Sequence, residues 1–295
     1  MKNLNTLKVL LFLFILMACT SIFSQQFTPK IKITDPDQTI SSTIMGKEYQ
    51  LYMSFPAGYS ATDTTTYPVL YVLDGWNFFP AFNVARQAMD FGNELKPVII
   101  VGIGCGQDLA SWFINRNYDY TPFADTASDR LMETQFGLPI GTIYSGGGEK
   151  FLQCITREII PFVDAHYKTN TNRGIAGHSL GGLFSAWCFL HSKDVFNKYG
   201  ISSPSLWFDN EKLLKQAETI FNTNEKWDAP DTKIFISVGG KEGFMVSEMN
   251  RFSALIESKK YTNIDLCKNI FDGETHLSVV PAVLSRTLSV LYGKD

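Results

Sequence analysis

Apolar runs suited to strands recur along this chain, most of them short and continuous: 50–55, 69–73, 98–102, 174–176, 199–202, 234–238 and 264–271. A run without polar alternation predicts a strand covered on both faces, as strands of parallel sheets are. Helical spacing alternates with these runs. Residues 149–167 bring Phe151, Leu152, Ile155, Ile159, Phe162 and Val163 towards one face, and 180–191 and 277–292 show a similar pattern. The order strand, helix, strand predicts an α/β fold with a mostly parallel central sheet flanked by helices. No Pro- or Ser-rich linker and no internal repeat interrupts it, so residues 27–295 are expected to form a single domain.

One stretch breaks the rhythm. Residues 105–148 are rich in Gly, Pro, Asp and Thr yet carry Trp112, Phe113, Tyr118, Tyr120, Phe123, Phe136 and Tyr144. This reads as a long loop over the active site, and long loops are usually functional. Its aromatic rings either line a substrate cleft or pin the loop to the core.

The first residues differ again. Lys2 and Lys8 flank an apolar run from Val9 to Ala18, followed by small and polar residues. Residues 1–24 are expected to be a secretory signal peptide, which would place the mature chain in the periplasm or outside the cell. The run is about ten residues, well short of the roughly 20 that cross a bilayer as a helix, so no integral membrane span is expected. Leu16-Met17-Ala18-Cys19 resembles a bacterial lipoprotein processing site, which makes a lipid anchor at Cys19 the alternative to cleavage after Ser24.

Composition narrows the classes further. With 45% apolar and 19% charged residues the chain has the balance of a globular protein, not that of a collagen, coiled coil or disordered segment. Lys and Arg number 26 against 29 Asp and Glu, and no basic stripe suits a phosphate backbone, so a nucleic-acid partner is not expected. Cys105, Cys154, Cys188 and Cys267 lie in apolar strand-like or helix-like stretches and read as buried thiols. They form no CxxC or Cys/His cluster, and no metal is expected.

Chemistry concentrates in Gly174-Ile175-Ala176-Gly177-His178-Ser179-Leu180-Gly181-Gly182. A short apolar strand, Gly-x-Ser-x-Gly and then a helix form the nucleophile-elbow pattern, which marks Ser179 as nucleophile. Gly177 and Gly181 allow strand and helix to pass closely. A serine needs a general base, nearly always histidine. His178 should point away from the site, while His166 and His191 belong to helices. His276 follows the last apolar strand at the carboxyl edge of the sheet, so it is the expected base. An acid placed between serine and histidine, just after a strand, would orient that imidazole. Glu242, after the run ending at Val238, is the expected acid, with Asp209, Asp265 and Asp272 as competitors. Backbone amides of Leu180 and of Trp76, or less favourably Asn77, are the expected oxyanion donors. Gly102-Ile103-Gly104-Cys105-Gly106 lacks the glycine that a dinucleotide loop needs at Gln107, and Gly146-Gly147-Gly148 lacks Walker spacing and reads as a flexible helix entry. No cofactor is expected.

Together, Tyr71-Val72-Leu73-Asp74-Gly75, Arg116 to Pro122, Gly177 to Gly182, Ser203-Pro204-Ser205-Leu206-Trp207 and His276 resemble the esterase D-like branch of the α/β-hydrolases. The resemblance runs from about Ile44 onward. The Arg116 and Ser203 stretches look most like the enterochelin and salmochelin esterases, which implies a serine esterase acting on catecholate siderophore esters through an acyl-enzyme. It also implies substrate contacts from Arg116, Tyr118 and Trp207. Arg116 has an alternative as an ion-pair partner of Asp119 or Asp125. Some members carry a glutamate where Glu242 stands, while others manage with a Ser–His dyad. The rival substrate is an acylated (feruloyl or acetyl) sugar, and the rival class is a non-catalytic ligand-binding protein on the same scaffold.

Overall fold

The computed structural model describes residues 35–106 and 108–294, and among these described residues eight strands and nine α-helices carry the chain. The expected signal peptide at 1–24 and Cys19 lie outside the described residues. Pro36–Asp295 form one contact unit. In chain order the elements are β1 (Gln38–Ser42), β2 (Lys47–Ser54), β3 (Tyr67–Val72), α1 (Gly75–Phe91), β4 (Ile99–Gly104), α2 (Leu109–Asp119) and α3 (Thr126–Phe136). Then come α4 (Gly148–Cys154), a π turn (Ile155–Ile159), α5 (Ile160–His166), β5 (Thr169–His178), α6 (Leu180–His191), β6 (Lys198–Ser202) and α7 (Phe208–Thr223). β7 (Thr232–Gly239), α8 (Phe244–Ser258), β8 (Ile264–Phe271) and α9 (Val280–Tyr292) complete it.

The strands form one sheet in the order β1-β2-β4-β3-β5-β6-β7-β8. The first two pairings, β1 with β2 and β2 with β4, are antiparallel, and every pairing from β4 through β3 to β8 is parallel. Parallel neighbours require crossovers, which the intervening helices supply. Successive side chains leave opposite faces of a strand. Leu70 and Val72 therefore join the core cluster with Phe79 and Phe82 of α1 and Leu284, Leu288 and Leu291 of α9. Tyr71 meets Phe196 instead, ring centroids 6.4 Å apart. β8 ends the sheet and alternates half-buried with exposed positions, unlike the doubly covered strands inside it.

The segment 105–148 is not the long loop its composition predicts, because it holds α2 and α3. Its polar residues are caps. Asp108 accepts from Ser111 N–H in a capping box, Asp125 accepts from the amides of Ala127 and Ser128, and Gly137 ends α3 in the left-handed region at φ 63°. Tyr120 is fully buried against Phe151 and Phe184, with centroids at 5.6 and 6.2 Å, which pins the segment to α4 and α6. The triple glycine at 146–148 is close-packed, not a flexible entry. Tyr118's ring lies over Gly147, and a Cβ on Gly148 would stand 2.9 Å from Pro122 Cα.

Candidate active site

Five loops converge at the carboxyl edge of the parallel strands, those leaving β3, β5, β6, β7 and β8. Ligands of open α/β sheets bind at this edge.

Ser179 sits between β5 and α6 at φ 62°, ψ −117°. A non-glycine residue there is strained, and the surroundings hold it. Its N–H donates to Ser202 O (3.0 Å), and its carbonyl accepts from Leu183 and Ser205. A Cβ on Gly177 would stand 2.5 Å from the Gly181 carbonyl, so the close approach inferred from the motif is present. Gly181 itself has ordinary space, with Asp74 and Leu73 at 3.5 Å from such a Cβ. The second tight position is Gly182, pressed against Ser202 O and Pro204.

His276 and Glu242, 34 residues apart, meet as an acid–imidazole pair with Nδ1 to Oε2 at 2.6 Å. Glu242 is 2% exposed and His276 6%. The other carboxylate oxygen, Oε1, accepts from Gly239 N–H (2.6 Å) and Ser203 Oγ (2.7 Å). Of the competing acids, Asp209 pairs with Lys212 and Asp265 faces Lys233 from β8, while Asp272 lies in the turn after β8 against Gly240, and it is Glu242 that takes His276 Nδ1. The His276 ring lies 4.6 Å from that of His178, the residue preceding Ser179. Burial, then His276, then Arg116 hold the His178 imidazole well below its ordinary pKa, so it is neutral at physiological pH. Its Nδ1 meets Ser202 Oγ at 3.1 Å.

Two helices, α6 and α1, begin close to Ser179, with Leu73 and Asp74 at 3.5 Å from a Cβ built on Gly181. The amides of a first helical turn have no acceptor within the helix, and their positive dipole end favours a developing anion. Leu180 opens α6 and Trp76 lies in the first turn of α1. Asn77 N–H is occupied by Asp74 O at 2.9 Å. A Cβ on Gly75 would meet the backbone of Gly102 at 2.6 Å, so this loop lies flat across the end of β4.

Arg116 is 8% exposed, and its fork is engaged by Asp74: Nε donates to Oδ1 and Nη2 to Oδ2, each at 3.0 Å. Asp74 is fully buried and also accepts from Trp112 Nε1 (2.8 Å), while its N–H donates to Tyr120 Oη (2.8 Å). The ion-pair partner is thus Asp74, not Asp119 or Asp125. Nε and Nη2 of Arg116 are thereby committed to the loop that carries Trp76. Asp119 is taken by Lys47 Nζ and Tyr49 Oη, both 2.8 Å. Tyr118 packs on Tyr144 (5.1 Å) and Gly147, a packing role within the 105–148 segment. Trp207 is half-buried, two residues beyond Ser205. Trp112 stands 6.3 Å from Trp76, so this part of the segment does border the site.

Sequence reasoning misses Ser203 and Ser205. The second is fully buried with Oγ 3.4 Å from Ser179 Oγ. The Ser203–Trp207 string is visible, but nothing local says what its hydroxyls touch. Cys105, Cys154 and Cys188 are buried free thiols and Cys267 is half-buried. Among the described residues no three His, Cys, Asp or Glu side chains cluster to hold a metal, and no helix is long and apolar enough to cross a membrane.

Comparison with known proteins agrees with this geometry. Residues 42–277 match the family described as "Putative esterase". The chain is 30% identical over 271 residues to ferri-bacillibactin esterase BesA of Bacillus subtilis, covering 87% of this chain and 89% of that one. The crystal structure of the BES protein from Bacillus cereus is similar at TM-score 0.73 and 30% identity, over 86% of this chain and 93% of that one. An IroE-like serine hydrolase from Shewanella oneidensis shares the fold at TM-score 0.69 and 23% identity, over 85% and 78% of the two chains. The chain therefore belongs to this esterase family and is a serine hydrolase of carboxylic esters on the α/β-hydrolase fold.

Proposed function

We propose that this protein hydrolyses the ester bonds of a catecholate siderophore, with Ser179 as nucleophile, His276 as general base and Glu242 as the acid that orients it. The observation that carries the catalytic assignment is the 2.6 Å contact between Glu242 and His276, beside a serine held at φ 62°. Glu242 accepts a hydrogen bond from Nδ1–H and so leaves Nε2 unprotonated, the nitrogen assigned to take the Ser179 proton. As Ser179 attacks the ester carbonyl, its proton passes to Nε2. The imidazolium is stabilised by the Glu242 charge, and the amides of Trp76 and Leu180 receive the oxyanion. His276 then protonates the leaving alcohol, and water enters by the same route to release the acid from the acyl-enzyme.

The substrate class rests on relatives: the name of BesA specifies ferri-bacillibactin, and it aligns along most of this chain. Export is part of the proposal and rests on the pattern of residues 1–24.

The test uses residues 25–295, wild type and Ser179→Ala, on a short p-nitrophenyl ester and a catecholate trilactone. Cleavage of both, reduced roughly 10⁶-fold by the substitution, supports the proposal. Cleavage of the simple ester alone overturns the siderophore assignment and directs the search to acylated sugars. Activity that survives in the variant overturns Ser179 as nucleophile. Fractionation of cells making the full chain tests export, which fails if the protein stays in the cytoplasm.

A further inference from the structure

Ser203-Pro204-Ser205, the loop leaving β6, touches both ends of the catalytic relay. Ser203 is fully buried, and its Oγ donates to Glu242 Oε1 at 2.7 Å, while its N–H donates to Ser237 O at the same distance. Ser203 adopts φ 40°, a conformation in which glycine would be relaxed, so this strained position carries a side chain whose hydroxyl is used. Two residues on, Ser205 N–H donates to Ser179 O (3.1 Å), and Ser205 Oγ stands 3.4 Å from Ser179 Oγ. Between them Pro204 packs against Gly182 at the start of α6, where a Cβ would stand 3.0 Å from Pro204 Cα.

We infer that this loop is a yoke that positions both ends of the relay, Ser203 holding the Glu242 carboxylate and Ser205 holding the Ser179 hydroxyl. This rests on the assignment of Ser179, His276 and Glu242 as the relay. A carboxylate turns about its last side-chain bond unless both oxygens are held. Gly239 N–H and Ser203 Oγ together fix Oε1, and that aims Oε2 at His276 Nδ1. With Ser205 Oγ as the donor to a lone pair of Ser179 Oγ, the Ser179 proton turns towards His276. A contact of this length is usual for catalytic groups without substrate and tightens in the reacting complex.

The other titratable or charged groups around Glu242 and His276 are His178 from β5, Arg116 acting on His178, Lys241 of the β7 loop, and Asp272 and Glu274 of the β8 turn. All of them stay in place when Ser203 or Ser205 is replaced.

The experiment compares Ser203→Ala, Ser203→Gly and Ser205→Ala with wild type and Ser179→Ala. The readouts are p-nitrophenyl ester hydrolysis from pH 5 to 9, thermal melting, and the rate of inactivation by an organophosphate. Ser203→Ala is expected to lower kcat about tenfold with KM within about twofold. Ser203→Gly relieves the positive φ, so it should melt no lower than Ser203→Ala and show the same kinetic change. Ser205→Ala should slow organophosphate inactivation about tenfold with its acid limb in place. Wild-type kcat in Ser203→Gly, or unchanged inactivation of Ser205→Ala, overturns the yoke. Losses that track melting temperature alone overturn it too. An active Ser179→Ala instead removes the relay assignment on which the yoke rests.

Discussion

Replacing Glu242 with glutamine changes one atom of a fully engaged carboxylate, and the geometry dictates how the amide must sit. Oε1 accepts two donors, Gly239 N–H and Ser203 Oγ, so an NH₂ placed there would face donors on both sides. The amide oxygen therefore takes the Oε1 position, and the NH₂ points at His276 Nδ1, where Oε2 stood 2.6 Å away. As a donor it demands an unprotonated Nδ1, which moves the imidazole proton to Nε2. In that tautomer His276 cannot accept the Ser179 proton. At 2% exposure the side chain at position 242 is shielded from solvent. The expected loss in kcat is on the order of 10⁴, as for a serine-protease triad whose acid becomes an amide. That corresponds to about 5 kcal/mol of transition-state stabilisation. Glu242→Ala donates nothing to Nδ1 and imposes no tautomer, so the glutamine variant should be the slower of the two. Steady-state hydrolysis of a p-nitrophenyl ester, with melting curves to confirm folding, measures both. A glutamine variant within about threefold of wild type would refute the argument and leave a Ser–His dyad.

Other perturbations act on the same contacts. Arg116→Met leaves the Asp74 carboxylate buried without its fork, so stability should fall by about 3–5 kcal/mol in denaturant unfolding, with kcat reduced through the loop that holds Trp76. Gly177→Ala pushes a methyl into the Gly181 backbone, which has no flexible end to yield. Overpacking of about 1–3 kcal/mol or more should appear as a lowered melting temperature. Asp119 has its carboxyl pushed up to about 6, chiefly by burial, against the opposing Lys47 charge. A folded-state pKa above the unfolded one means that its contribution is greatest below about pH 4 and is lost as pH rises through about 6. Asp119→Asn should flatten the stability profile across that window, and an unchanged slope would remove Asp119 as its source.

The elbow is legible in the sequence because every signal lies within a few residues. Strand, glycine, serine and helix succeed one another from Gly174, and α6 spans the predicted Leu180–His191. β8 likewise spans the predicted 264–271. Chain order and position just past a strand single out His276 and Glu242, and the structure brings those two side chains together. The segment 105–148 misleads because its Asp108, Asp125 and Gly137 are loop-like by composition and helix caps by position.

The fold class, the elbow and a short set of candidate residues were determined by the sequence alone, since each depends on short-range periodicity, backbone sterics and residue order. Only the tertiary structure decided that Arg116 pairs with Asp74, 42 residues away, and not with nearby Asp119. It alone brought Ser203 to Glu242, made Gly182 the second tight glycine, and put β4 between β2 and β3. The physical reason is range: caps, turns and periodicity act within a turn or two of the chain, whereas these partners meet because strands distant in sequence end side by side.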